Sequence, residues 1–133
     1  MACGSRKVSR AVSEKAKVLI LDDEPIVGDR LKPALEKCGY DVETQTDSQA
    51  AIDQLAQTRY DVLITDLKMS GPSGLDVLRF VKEHSPSTRV IVITGYATAE
   101  QAKESIKGGA VDFIAKPFRI SQLRELIART LAS

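Results

Sequence analysis

The sequence predicts an α/β protein in which one parallel sheet is covered on both faces by helices. Three observations carry this expectation. Strand-like and helix-like segments alternate along nearly the whole chain, joined by short connections. The strand-like segments are unbroken apolar runs, such as Val18-Leu19-Ile20-Leu21 and Val90-Ile91-Val92-Ile93, as expected of strands buried on both faces. Several of these runs end on a polar residue just before a loop, marking the carboxyl ends of strands. A chain of 133 residues, 43% hydrophobic and 28% charged, fits a single domain with a real core. It contains no run of about 18 apolar residues of the kind that spans a membrane.

The first strand covers Lys17 to Asp22. Pro25 suits the first turn of the helix that follows, whose Val27, Leu31, Leu35 and Cys38 share one face and which Gly39 ends. Pro33 lies inside this helix, where it removes a hydrogen bond and should kink the backbone. Asp41 to Gln45 alternates weakly and is polar, as an edge strand would be. Asp47 or Ser48 can cap a second helix with Ile52, Leu55 and Ala56 facing inward. Asp61 to Thr65 makes the third strand and delivers Asp66 at its end.

Gly74 to Glu83 makes a third helix, its turns marked by Leu75, Leu78 and Val81 or Lys82, and Ser85-Pro86-Ser87 breaks it. Val90 to Thr94 is the fourth strand. Thr98 and Gln101 form a capping box for a fourth helix, Ala99 to Lys107, which Gly108-Gly109 stops. Asp112 to Ala115 is the fifth strand, followed by Lys116-Pro117. Ser121 can cap a last helix with an apolar stripe of Leu123, Leu126, Ile127 and Leu131. The total is five strands, five helices and one domain, with right-handed crossovers limiting the topology.

Charge divides the chain into a tail, residues 1–16, and a domain, residues 17–133. Residues 1–17 carry Arg6, Lys7, Arg10, Lys15 and Lys17 against Glu14, a balance of +4, so the remainder stands at −3. Basic charge confined to a flexible tail does not predict a nucleic-acid-binding domain. The N-terminal stretch has no apolar segment of the secretory type, and the expected location is the cytoplasm. Cys3 and Cys38 suggest neither a disulfide framework nor a metal site; Cys38 is expected to pack in the core. His84, the single histidine, reads as solvated surface, and Tyr40, Tyr60 and Phe80 as packing residues.

In a parallel sheet all carboxyl ends lie on one edge, where open α/β sheets place their chemistry. That edge gathers Asp22-Asp23-Glu24 from the first strand, Asp66 from the third, Thr94 from the fourth and Lys116 from the fifth. Carboxylates crowded in one cleft repel and raise each other's pKa unless a cation intervenes. Mg²⁺, a hard cation that takes oxygen ligands and tolerates phosphate oxygens, is the natural counter-ion. A lysine and a hydroxyl beside it suit a phosphoryl group on or near an aspartate, and carboxylates do act as nucleophiles in aspartyl-phosphate chemistry.

At these residues, from Lys17 to about Leu131, the chain resembles the receiver domain of bacterial two-component response regulators. The resemblance rests on Asp22-Asp23, Asp66, Thr94 and Lys116-Pro117, each following its own strand. It implies a flavodoxin-like, doubly wound sheet of order 2-1-3-4-5. It also implies roles: Asp66 as phosphoacceptor, taking a phosphoryl group from a phosphohistidine on a sensor kinase or phosphotransfer protein. Asp23, Asp66 and the backbone carbonyl of Lys68 would hold Mg²⁺, with Asp22 acting mostly through water. Thr94 and Lys116 would grip the phosphoryl oxygens, Lys116-Pro117 would be cis, and Phe113 would be the aromatic partner of Thr94 in the switch. Phosphorylation would then alter the surface of helix four, strand five and helix five, which an output protein or domain reads. Dimerisation on phosphorylation is a further possibility that the resemblance raises.

The loop after Asp66 departs from the family pattern, with Ser70 where many relatives have proline and Pro72 two positions later. By the same resemblance Lys68 and Tyr96 stand where dephosphorylation is tuned, and a bulky Tyr96 predicts slow loss of the phosphoryl group. Two other classes use similar ingredients. A Mg²⁺-dependent aspartate-nucleophile phosphatase of the haloacid dehalogenase type needs an Asp-x-Asp nucleophile after the first strand, where this chain has Asp22-Asp23-Glu24. An FMN-binding flavodoxin needs a Ser/Thr/Gly phosphate loop there, and the acidic cluster would repel it.

Overall fold

Strand residues of this chain alternate between two helical layers, and that alternation organises the whole molecule. The computed structural model describes residues 15–66, 74–95 and 106–132. The strands are β1 (Lys17–Leu21), β2 (Asp41–Gln45), β3 (Val62–Asp66), β4 (Arg89–Thr94) and β5 (Asp112–Ala115). The helices are α1 (Pro25–Glu36), α2 (Ser48–Gln57), α3 (Gly74–His84) and a C-terminal helix (Ile120–Ala132). All neighbouring strands are parallel, in the order β2-β1-β3-β4-β5.

Val18, Ile20, Val62, Ile64, Ile91 and Ile93 face one layer, where they meet Leu31 and Leu35 of α1 with Leu123 and Ile127 of the C-terminal helix. Leu19, Leu21, Leu63, Val90 and Val92 face the other, against Leu55 of α2 and Val77, Leu78 and Val81 of α3. A strand's two-residue period sends successive side chains to opposite faces, so a strand covered on both sides must be apolar throughout. Cutting any one of these buried leucines back to alanine costs roughly 2–5 kcal/mol.

Local chemistry sets the element ends. Pro25 stands at the start of α1 and Gly39, at φ +92°, ends its connection to β2. Asp47 caps α2, its carboxylate accepting the Ala50 N–H at 2.8 Å. Pro33 lies within α1 as expected.

Several details differ from the sequence reading. In α2 the buried positions are Ser48, Ala51 and Leu55, with Ile52 partly buried and Ala56 exposed, because Ala56 lies about 100° around the helix from Leu55. In α3, Val77 is buried and Lys82 exposed. The C-terminal helix is not capped by Ser121. It begins one residue earlier, and Gln122 reaches back to accept the Arg119 N–H at 2.8 Å. Cys38 is half-buried against the core and is disulfide-bonded, which corrects the reading that the cysteines suggest no disulfide; Cys3 lies outside the described residues. So do most of the predicted tail and of the predicted fourth helix, of which only residues 106 and 107 are described, as helical.

Candidate functional site

The carboxyl edge of the sheet is where β1 and its neighbour β3 release their last residues, with β5 one strand further on beyond β4. β3 is central and runs one residue further than predicted, so Asp66 is the strand's own final residue and is buried. Its main chain pairs in register with Ile93 of β4, and the Thr65 hydroxyl donates to its carbonyl at 3.0 Å. Asp22 follows β1 directly. Its N–H donates to the Gln45 carbonyl at 3.2 Å, which ties the turn to β2. Asp22 Oδ1 accepts the Glu24 N–H at 2.9 Å, a tight turn that holds the carboxylate inward.

Lys116 joins these two aspartates. Its Nζ donates to Asp22 Oδ2 and to Asp66 Oδ2, each at 2.9 Å, across 94 and 50 residues of sequence. The side chains of Asp22 and Asp66 are 1% and 10% exposed and that of Lys116 23%, so the cluster is largely withdrawn from water. Glu24 Oε1 lies 3.7 Å from the same Nζ but is well exposed. The Lys116-Pro117 peptide is cis. Asp23, Glu24, Asp66 and Lys116 line one open cleft of about 830 Å³, which continues over Ile26, Val27 and Arg30 of α1 and over Phe118.

Burial pushes the Asp22 carboxyl above its ordinary range, although the Glu24 N–H and Lys116 both favour the charged form. Burial also works against the Lys116 charge, but there the hydrogen bonds to Asp66 and Asp22 prevail and raise its pKa. The two shifts are consistent. One ammonium is firmly charged between two acids, and it does not fully repay the desolvation of the more deeply buried one.

The sequence-predicted residues fall as follows. Asp22, Asp66 and Lys116 are brought into direct contact, and Asp23 stands at the cleft wall. Thr94 ends β4 in register with Ala115; its hydroxyl lies outside what is described. Phe113 of β5 is partly buried and packs against the α2–α3 side of the core. Lys68, Ser70, Pro72 and Tyr96 lie outside the described residues. Among the described residues no three His, Cys, Asp or Glu side chains form a ready-made metal cage. The donor chemistry nevertheless suits a hard cation. Asp23, Glu24 and Asp66 line the cleft with oxygens only, Asp22 lies beside them, and Lys116 and Arg30 are the described cations lining it, leaving negative charge in excess. The ion pair from Glu24 was not anticipated. Its only trace in the sequence is its place directly after Asp22-Asp23.

Comparison with known proteins agrees with this geometry. The family model of the response regulator receiver domain matches residues 18–128. The chain is 34% identical over 117 residues to the response regulator protein PilR of Pseudomonas aeruginosa, covering 88% of this chain and 26% of PilR. It is 32% identical over 125 residues to the probable transcriptional regulatory protein TcrX of Mycobacterium tuberculosis, covering 91% of this chain and 53% of TcrX. The chain thus spans between about a quarter and about half of these relatives. A solved CheY-like receiver domain from Methanospirillum hungatei superimposes with a TM-score of 0.86 at 28% identity, over 90% of this chain and 95% of that one. With its strand order, its Asp22–Lys116–Asp66 cluster and a family match across nearly the whole domain, the chain belongs to the response regulator receiver domains of two-component systems.

Proposed function

We propose that this domain is a phosphoacceptor switch, with Asp66 taking a phosphoryl group from a phosphohistidine of a sensor kinase or phosphotransfer protein. The observation that carries the reading is Lys116 Nζ at 2.9 Å from both Asp22 and Asp66. A cation fixed beside the acceptor oxygen is what a developing phosphoryl charge requires. In the transfer, a carboxylate oxygen of Asp66 forms the new P–O bond as the donor's P–N bond breaks, its electron pair returning to the imidazole nitrogen. Lys116 then serves a phosphoryl oxygen, and Thr94 at the neighbouring strand end serves another. The cleft's task is positioning and charge neutralisation rather than turnover.

Asp23, Asp66 and the Lys68 carbonyl would hold Mg²⁺, with Asp22 beside them. Bound there, the ion neutralises phosphoryl charge and orients the acceptor. Phosphorylation biases an equilibrium between two arrangements, with Phe113 following Thr94, and the altered face of helix four, strand five and helix five is read by an output domain or partner. A phosphorylated dimer is one form that readout can take. No described helix is long and apolar enough to cross a membrane, and we place the domain, residues 17–133 behind a basic tail of residues 1–16, in the cytoplasm. In this reading the domain itself makes no direct nucleic-acid contacts.

The test is incubation with Mg²⁺ and a small acyl phosphate, followed by intact mass. The parent chain should gain one phosphoryl group per molecule and Asp66→Asn none. Equal uptake by Asp66→Asn would overturn the acceptor assignment, and catalytic release of phosphate from many esters would favour a Mg²⁺-dependent phosphatase instead.

A further inference from the structure

We infer that Glu24 is a positioning residue for Lys116, offering its ammonium a second resting place when a divalent cation binds at Asp23 and Asp66, next to Asp22. The inference rests on the phosphoacceptor reading above. Lys116 Nζ is hydrogen-bonded to Oδ2 of both aspartates, each at 2.9 Å. Mg²⁺ draws oxygens in to about 2.0–2.1 Å, and its two positive charges so close to Asp66 repel the ammonium hydrogen-bonded there. The ammonium therefore has to withdraw, yet it must stay in the cleft if it is to meet a phosphoryl oxygen later.

Glu24 Oε1, 3.7 Å from Nζ, is the third carboxylate within ion-pair range of Lys116. Its side chain is 66% exposed, so it accepts the ammonium without the desolvation that burdens Asp22. Its own N–H is bonded to Asp22 Oδ1, which fixes its distance from the cluster. The position itself is telling. Glu24 is the N-cap residue of α1, where Ser, Thr, Asp or Asn normally bond the first turn, yet its side chain makes no capping bond. A side-chain capping bond therefore does not account for glutamate here, whereas a longer arm that reaches Lys116 does.

The experiment is calorimetric titration of the unphosphorylated full chain with MgCl₂, in a cycle of Glu24→Gln and Lys116→Gln. Loss of Glu24 should weaken Mg²⁺ binding about 2- to 5-fold in the parent background, the range of an exposed ion pair. It should have no effect in the Lys116→Gln background, where there is no ammonium to relocate. Equal weakening in both backgrounds would mean that Glu24 acts only as one more negative charge, and would overturn the inference.

Glu24→Asp separates the roles further. It keeps the charge and favours capping, so it should raise thermal stability while weakening Mg²⁺ binding as Gln does; parental Mg²⁺ affinity in Glu24→Asp would also overturn it. In acyl-phosphate labelling, Glu24→Gln should slow the reaction at low Mg²⁺ and match the parent at saturation. A parent that binds Mg²⁺ with the predicted coupling but is never labelled on Asp66 would sink the phosphoacceptor reading alone. A labelled parent without the coupling would sink the role of Glu24 alone.

Discussion

The two ends of the sheet each bury an aspartate, and they treat it differently. At the amino end Asp61 is 6% exposed, and its partners are plentiful and fixed. Its Oδ2 accepts the Lys17 N–H at 2.8 Å, and its Oδ1 accepts Arg59 Nη1 at 3.1 Å. Its main chain joins β1 and β4 through Lys17 O and the Arg89 N–H. At the carboxyl end Asp22 and Asp66 share one ammonium, with Asp23 and Glu24 lining the same cleft. One buried carboxylate is matched by donors that the fold holds in place. The others sit in a surplus of negative charge. The first arrangement contributes stability, while the second gives some up at the place where we propose that a cation and a phosphoryl group bind.

The difference can be broken from the stable end first. Asp61→Ala should cost about 1–3 kcal/mol, because it strands the part-buried Lys17 N–H of β1 and frees the exposed Arg59, while Asp66 should still be labelled in the fraction that stays folded. Thermal melts and labelling measured on the same samples check both halves. An unchanged melting temperature would remove the contrast.

A smaller effect of opposite sign is expected at the other end. Because burial raises the folded-state pKa of Asp22, the folded chain holds that proton more tightly than the unfolded chain does. Its contribution is thus fully favourable below the unfolded value of 3.8 and is lost as pH rises through the folded pKa. Asp22→Asn retains an oxygen for the Glu24 N–H and should be more stable than the parent at neutral pH. The advantage should vanish in melts below pH 3.8. A variant less stable than the parent at neutral pH would show that both ends are built alike.

The smallest effect concerns Tyr60, whose hydroxyl donates to Glu43 and accepts from Gln54 at 3.4 Å. Burial, helped by Glu43, pushes its pKa up to about 12. Tyr60→Phe should cost about 1 kcal/mol at neutral pH. It should also flatten the decline in stability that the parent shows as pH rises from 10 to about 12. Denaturant titrations across that range provide the check.

What the sequence disclosed follows a physical pattern. Strand runs and the strand-end residues Asp22, Asp66 and Lys116 were legible, because burial on both faces leaves apolar runs and parallel strands must end on one edge, while the sheet order came from the family resemblance. Position on a helix face was less so. Ala56 and Ala51 are equally small and apolar, and only packing against β-strand neighbours selects Ala51. Side-chain partnerships across the fold left no periodic trace. Tyr60 read as packing yet anchors a polar network with Glu43 and Gln54, and nothing in Arg59-Tyr60-Asp61 foretold that Asp61 would receive the Lys17 N–H. Glu24 was visible as an acid near the site, but its approach to Lys116 depends on β5, about 90 residues later.

That separation has a consequence for how the protein comes into being. Lys116 meets Asp22 across 94 residues and Asp66 across 50, so the cluster closes only when the last strand is laid beside β4. Contacts this distant in sequence form late, after the loops between them have been paid for in entropy. A nascent or partly unfolded chain can display Asp66 without its lysine, and by the reading proposed above it would hold an aspartate but not an acceptor. On the phosphoacceptor reading, competence to receive a phosphoryl group would report completed folding and keep unfinished molecules silent.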